Sequence, residues 1–170
     1  ALLSKQLLDK KLAKPEDLRP AVIEDWPQYK LRSFMPDVGR APFSMALLKR
    51  TIRILARLKM NLLHLHLTDD QLCSLRFKKL PLGSENPTAI TLKQLRELIA
   101  YGHAHHVQIM PEIECWGHAA SAIYHYPSLH GGPGMWGGMS FGLGPETFDL
   151  FAKIFDELLP VLDRQCLVHV

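Results

Sequence analysis

The chain is 170 residues long, 47% hydrophobic and 22% charged, with a formal net charge of +3 at pH 7. That length supports one domain with a real core, and that hydrophobic content excludes a disordered chain. No apolar run approaches the ~20 residues of a membrane-spanning helix.

The N-terminal ALLSKQLLDKKLAKPEDL spreads its lysines throughout and carries no apolar core segment, so it lacks the layout of a secretory signal. Lys49, Arg50, Arg53, Arg57 and Lys59 form the one dense basic stretch. They alternate with apolar residues at helical spacing and no aromatic residues interleave, so they read as a solvated helix face and not as a nucleic-acid surface. Cys73, Cys115 and Cys166 are scattered, without a CxxC pair, and are expected as free thiols.

Taken in order, residues 1–13 read as a short amphipathic helix with Leu2, Leu3, Leu7, Leu8 and Leu12 as its stripe, ended by Pro15 and Pro20. Residues 14–30 read as an extended connection, and residues 1–30 together as a lead-in to the main domain. A first strand is predicted over Leu31–Val38, with Pro36 closing it. Ser44 caps a helix over Met45–Leu58, whose stripe is Leu47, Leu48, Ile52, Leu55 and Leu58. The second strand is MNLLHLHLTDDQ, Met60–Gln71, with Leu63, Leu65 and Leu67 on one face and His64 and His66 on the other. Cys73–Ile90 reads as a polar connection. Thr91 and Gln94 form a capping box for a helix over Leu92–His105. Val107–Ile113 is the third strand, residues 119–144 a long irregular loop rich in Gly, His and aromatics, Glu146–Leu159 a third helix behind Pro145, and Gln165–Val170 a fourth strand.

Strand, helix, strand, helix, strand, helix, strand is the alternation of the α/β class with a parallel sheet. No GxGxxG or P-loop follows a strand, which argues against nucleotide binding. A closed (β/α)8 barrel of TIM type needs ~250 residues, so this chain holds about the first four β/α units of one, over residues 31–170.

The ionisable residues share a phase. Asp37 and Arg40 follow the first strand, His66, Asp69 and Asp70 the second, Glu112, Glu114 and His118 the third, and His169 lies in the fourth. In a barrel these strand ends converge on one face. Singly, each has a plainer reading. His64 suits a satisfied core histidine, Asp-Asp after a strand suits a turn or cap, Glu112 a buried structural acid, Arg40 a partner for Asp37, and Trp116 and Trp136 packing residues or sugar platforms. His64, His66 and Asp69 also suit a zinc-dependent hydrolase.

With those residues in view, the chain resembles the catalytic domain of glycoside hydrolase family 20, the β-N-acetylhexosaminidases, from about Gln6 to Val170. LRSFMPDVGR resembles the first-strand motif that leads to Asp-x-x-Arg. KMNLLHLHLTDDQ resembles Lys-x-Asn-x-x-His-x-His-Leu-x-Asp-Asp. PEIECWGHA resembles Pro-Glu-Ile-Asp-x-Pro-Gly-His-Ala, and LVHV resembles the approach to His-x-Gly-Gly-Asp-Glu.

The resemblance implies hydrolysis of terminal β-linked N-acetylhexosamine by a retaining route in which the substrate's own acetamido oxygen attacks the anomeric carbon. It implies no cofactor, an oligosaccharide or glycoconjugate partner and an extracytoplasmic location. Arg40 matches the arginine that holds sugar hydroxyls, Asp69 and His118 a charge relay behind the acid/base Glu, and His66 a supporting pocket residue, with His66 and Glu112 expected beside Arg40 among the substrate-binding residues. The general-acid Glu and the polarising Asp are expected just after Val170, so residues 1–170 alone are expected to be inactive. The alternative is a non-catalytic carbohydrate-binding half-barrel, completed by a second copy or a partner segment. The sequence departs from the family pattern at Ser33 (for Gly), Pro36, Leu72-Cys73 (for Gly-Trp), Glu114 (for Asp) and Trp116 (for Pro).

Overall fold

The computed structural model of the chain describes residues 22, 24–134, 137–164 and 166–170. The helix expected over residues 1–13, and Trp136, lie outside the described residues.

The centre is a parallel sheet of three strands, β1 (Ser33–Phe34), β2 (Leu62–His66) and β5 (Gln108–Glu112), in the order β1-β2-β5. Ser33 pairs with Leu62, and the β2–β5 register runs from Leu62 opposite Gln108 to His66 opposite Glu112. Parallel neighbours need crossover connections, and two helices supply them. The first, α1 (Met45–Arg57), starts at Ser44, whose hydroxyl accepts the Leu47 N–H at 3.2 Å. The second, α2 (Leu92–Ala104), starts in the predicted capping box: Gln94 N–H to Thr91 Oγ1 at 3.2 Å and Thr91 N–H to Gln94 Oε1 at 2.8 Å.

The core lies between sheet and helices. Leu63, Leu65 and Leu67 of the β2 segment and Ile109 of β5 pack with Leu48, Ile52 and Leu55 of α1 and Leu95, Leu98 and Ile99 of α2. All of β2 is buried, its histidines included, as expected of a parallel strand covered on both faces. The α1 stripe is narrower than predicted. Leu47 and Leu58 are exposed, because the buried face closes over Leu48, Ile52 and Leu55 alone. The basic residues fit a solvated face: Lys49 pairs with Glu97 at 2.5 Å and Arg53 donates to the Tyr101 hydroxyl at 2.9 Å.

Three segments differ from the sequence reading. The first strand is shorter than Leu31–Val38: only Ser33–Phe34 is ladder-paired, Pro36 has no N–H to give, and pairing resumes as a single parallel bridge between Asp37 and His66. The Cys73–Ile90 connection carries a short parallel pair, β3 (Leu75–Arg76) with β4 (Ile90–Thr91), and buries Cys73, Leu75, Phe77 and Leu82. The fourth strand is reduced to one parallel bridge, Glu112 to His169, with His169 N–H to Pro111 O and Ile113 N–H to His169 O both at 3.0 Å. The architecture is thus an open segment of a β/α barrel.

The 119–144 region is ordered where it is described. It holds α3 (Ala120–Ile123), a single 3₁₀ turn at Pro127–Leu129, and an antiparallel hairpin of β6 (His130–Pro133) and β7 (Met139–Phe141). The hairpin is tied to the end of β5 by Phe141 N–H to Trp116 O at 2.9 Å and Ala119 N–H to Met139 O at 3.0 Å. Helix α4 (Pro145–Leu158) follows, with Leu150, Phe151, Ile154 and Leu158 buried. No described helix is long and apolar enough to cross a membrane. All three cysteines are free thiols, Cys73 buried and the others half-buried.

Gly102 sets how closely α2 approaches β5. A Cβ there would lie 2.5 Å from Val107 O and 3.0 Å from the Ile109 side chain. In an exposed helix, Gly→Ala gains about 1 kcal/mol. Here the clash reverses the sign, and Gly102→Ala is expected to destabilise by about 1–3 kcal/mol, read as a lowered urea midpoint. A raised midpoint would contradict the packing described.

Candidate active site

Strand geometry brings the ionisable residues together. Asp37 and Arg40 leave the end of β1, His66, Asp69 and Asp70 the end of β2, and Glu112, Glu114 and His118 the end of β5, with His169 alongside. An open cavity of about 400 Å3 is lined by Asp37, Arg40, His64, His66, Glu112, Glu114, His118 and His169, with Met35 at its side. A larger cavity of about 660 Å3 lies elsewhere, between Lys79–Leu80 and α4, and holds no histidine.

Asp69 is the centre. Its side chain has no solvent exposure, and a buried carboxylate is tolerated only with donors on its oxygens. Four groups surround it. Arg40 approaches Oδ2 at 2.8 Å, His66 Nε2 meets Oδ2 at 2.6 Å, the Asp70 N–H donates to Oδ1 at 2.6 Å, and His118 Nδ1 lies 3.4 Å from Oδ1. Arg40 also donates to Asp37 Oδ2 at 2.6 Å, while its backbone N–H reaches Asp37 Oδ1 at 3.0 Å. The hydrogen bond to Asp37, with the charges of Asp69, Asp37 and Asp70, outweighs partial burial and raises the Arg40 pKa, so the guanidinium is charged at any working pH.

Glu112 is the second centre. One oxygen bonds His66 Nδ1; the other faces His64 Nε2 and, at 2.8 Å, His169 Nδ1. His64 Nε2 is buried and sits off the line of a proper hydrogen bond. Both nitrogens of His66 therefore face carboxylates, Asp69 on one side and Glu112 on the other. An imidazole so placed is best served as a double donor. Burial pulls the His66 pKa down, but the hydrogen bonds to Asp69 and Glu112 outweigh it and the net shift is upward. Burial pushes Glu112 up, and the His66 hydrogen bond with the charges of His66 and His64 outweighs that, so it stays below the usual carboxylate range.

Glu114 differs. Burial, then the Glu112 charge, raises its pKa, while its backbone N–H is held by Thr68 Oγ1 at 2.8 Å. Burial pushes the Cys73 thiol up to about 12 and Cys115 to about 11, so neither supplies a thiolate at neutral pH.

Arg40, His66, Asp69 and His118 are thus brought together, with Glu112 behind His66. The zinc-type set His64, His66 and Asp69 does not share one focus. Among the described residues, His64 groups with Glu112 and His169, whereas Asp69 groups with Asp37 and His66 or with Asp70 and His118. In the sequence, Asp70 suits a turn or cap as readily as a strand-end site residue. Its carboxylate instead accepts backbone N–H groups 50 and 69 residues away, from Ala120 at 3.0 Å and Met139 at 3.1 Å. Nothing local in the sequence signals so distant a pairing.

Residues 29–170 match the family model for the catalytic domain of glycosyl hydrolase family 20. The chain belongs to that family.

Relatives agree. The β-hexosaminidase of Akkermansia muciniphila is 30% identical over 178 residues, covering 91% of this chain and 36% of the relative. The chitooligosaccharidolytic β-N-acetylglucosaminidase of Bombyx mori is 36% identical over 106 residues, covering 59% of this chain and 18% of the relative. A mutant Streptomyces plicatus β-hexosaminidase solved with its product GlcNAc superposes with a TM-score of 0.70 at 30% identity, covering 79% of this chain and 31% of that one. The chain therefore spans about a third or less of these proteins' lengths. The family 20 structures are TIM-barrel enzymes, and the open sheet here is a partial version of that fold. The departure at Trp116 places a half-exposed indole edge-on to Phe148, ring centroids 6.1 Å apart.

The two buried titrating groups give stability opposite pH limbs. His66 is raised, so its contribution is complete below the ordinary 6.5 and fades as pH climbs through the higher folded value. Glu112 is lowered, so its contribution is complete above the ordinary 4.5 and fades as pH falls through the lower folded value. Urea midpoints are expected to be highest between these values, and His66→Gln to flatten the alkaline limb. An alkaline limb unchanged in His66→Gln would contradict the assignment.

Proposed function

We propose that this chain supplies the first half of the catalytic barrel of a β-N-acetylhexosaminidase that releases terminal β-linked N-acetylhexosamine from oligosaccharides or glycoconjugates, with retention of anomeric configuration. The observation that carries the reading is that Arg40 and His118, which line one cavity, meet on the buried Asp69 behind it in a family 20 chain: Arg40 to Asp69 at 2.8 Å and His118 to Asp69 at 3.4 Å.

Each role follows from chemistry. Arg40 remains half-exposed while anchored at its inner edge by Asp37 and Asp69, so its outward N–H groups can grip a pair of sugar hydroxyls. His118 Nδ1 faces the carboxylates of Asp69 and Asp70 at 3.4 and 3.5 Å, with Arg40 Nη2 also 3.5 Å away; the two acceptors favour the proton on Nδ1, and Nε2 is the atom that trades a proton with the acid/base carboxyl. Asp69 holds that tautomer and stabilises imidazolium as it forms. His66 and Glu112 hold Asp69 from behind. The nucleophile is the substrate's acetamido oxygen. The acid/base Glu and the Asp that polarises the acetamide belong to the fourth-strand motif that His169 opens. Exposed Phe34 and Met35 on one side of the sheet, and Leu167 and Val170 on the other, are surfaces for further barrel strands to cover.

The test is kinetic, on the full-length protein with an aryl N-acetyl-β-glucosaminide. Asp69→Asn is expected to lower kcat by about 100-fold or more, and Arg40→Lys to act chiefly through KM, since a point charge replaces a two-pronged donor. Replacing the acetyl group by trifluoroacetyl weakens the attacking oxygen and should slow turnover steeply. An inverted product, or a rate indifferent to fluorination, would overturn the substrate-assisted reading.

A further inference from the structure

Asp70 is left over by the roles above, yet it is among the most heavily engaged side chains near the site. Its Oδ1 accepts the N–H of Ala120 at 3.0 Å and of Met139 at 3.1 Å, and its Oδ2 lies 3.5 Å from His118 Nδ1. One carboxylate thus ties the segment just after His118 to β7, the returning strand of the hairpin, and both to the end of β2.

Two backbone features fit this clamp. His118 has φ +49°, a left-handed conformation uncommon for residues other than glycine and shared among the described residues by Lys59 and His106. Gly138 comes so close that a Cβ would fall 2.1 Å from Asp70 Oδ2, so the strand reaches the carboxylate only because residue 138 has no side chain. Ala119 N–H to Met139 O at 3.0 Å completes the junction.

We propose that Asp70 is a positioning residue. By clamping residues 118–120 to 137–139, it holds His118 in its left-handed conformation with Nδ1 on Asp69. The backbone clamp needs an acceptor oxygen, not a charge, because both of its donors are backbone N–H groups on Oδ1, while Oδ2 faces His118 Nδ1 separately at 3.5 Å. The catalytic consequence rests on the hydrolase reading above; the clamp itself does not.

The experiment pairs hydrogen–deuterium exchange with kinetics on the full-length protein. Asp70→Ala should speed amide exchange in peptides spanning 117–124 and 137–142 by at least about tenfold, and lower kcat/KM by about 100-fold, the cost of a misplaced catalytic group. Asp70→Asn keeps an acceptor oxygen for the two backbone donors and should recover most of the exchange protection, with the rate recovered less because its amide N–H faces His118 Nδ1. Gly138→Ala, which leaves Asp70 in place but forces the strand away, should reproduce the exchange and rate changes of Asp70→Ala and serves where that variant does not fold. Unchanged exchange in Asp70→Ala or Gly138→Ala overturns the clamp. So does a folded Asp70→Asn whose amides exchange as fast as those of Asp70→Ala, which would make the charge the operative feature. A wild-type protein with no turnover defeats the hydrolase reading, and exchange alone then decides the clamp.

Discussion

The structure turns on burying the Asp69 carboxylate without leaving it unpaired. Removing an ion from water costs several kcal/mol even after relaxation, and Asp69 has no exposure with which to recover hydration. The compensation is an alternating line of charge: Asp37, Arg40, Asp69, His66, Glu112, each in contact with the next. The line crosses the ends of all three central strands. No single strand could supply it, so the sheet register that sets His66 opposite Glu112 is also what satisfies the site. Slipping that register by one residue would turn the paired groups to opposite faces and leave buried charges alone.

This arrangement explains why so polar a cluster is carried on such an apolar strand. The leucines of β2 anchor the sheet to α1 and α2, and the alternate positions carry the histidines inward. Rigidity in the core becomes positional accuracy at the strand ends, where reactive groups must be held within a fraction of an ångström. Arg40 keeps nearly half of its side chain exposed at this end of the sheet.

Much of this was legible in the sequence, for identifiable reasons. The helices announced themselves through Ser44, Thr91 with Gln94, and Pro145, because caps are local chemistry. His66 and Asp69 were legible because strand periodicity and the end of an apolar run fix their phase. Shorter-range signals failed where the determinant was distant. Cys73–Ile90 looked polar, yet Leu75, Phe77 and Leu82 are core, since their partners lie on other elements. The 119–144 loop looks irregular in sequence because its partners lie outside it: Asp70 accepts from Ala120 and Met139, and Trp116 O from Phe141. Glu112 was expected to support the pocket; that its two oxygens are spent on three histidines depends on a register that composition cannot reveal.

The most direct measurement of the central claim is a crystal structure of the full-length protein with N-acetylglucosamine. The sugar is expected in the cavity at the strand ends, with ring hydroxyls bonded to the outward N–H groups of Arg40 while Arg40 keeps its contacts to Asp37 and Asp69. A sugar bound elsewhere, or one in this cavity that leaves Arg40 untouched, would contradict it.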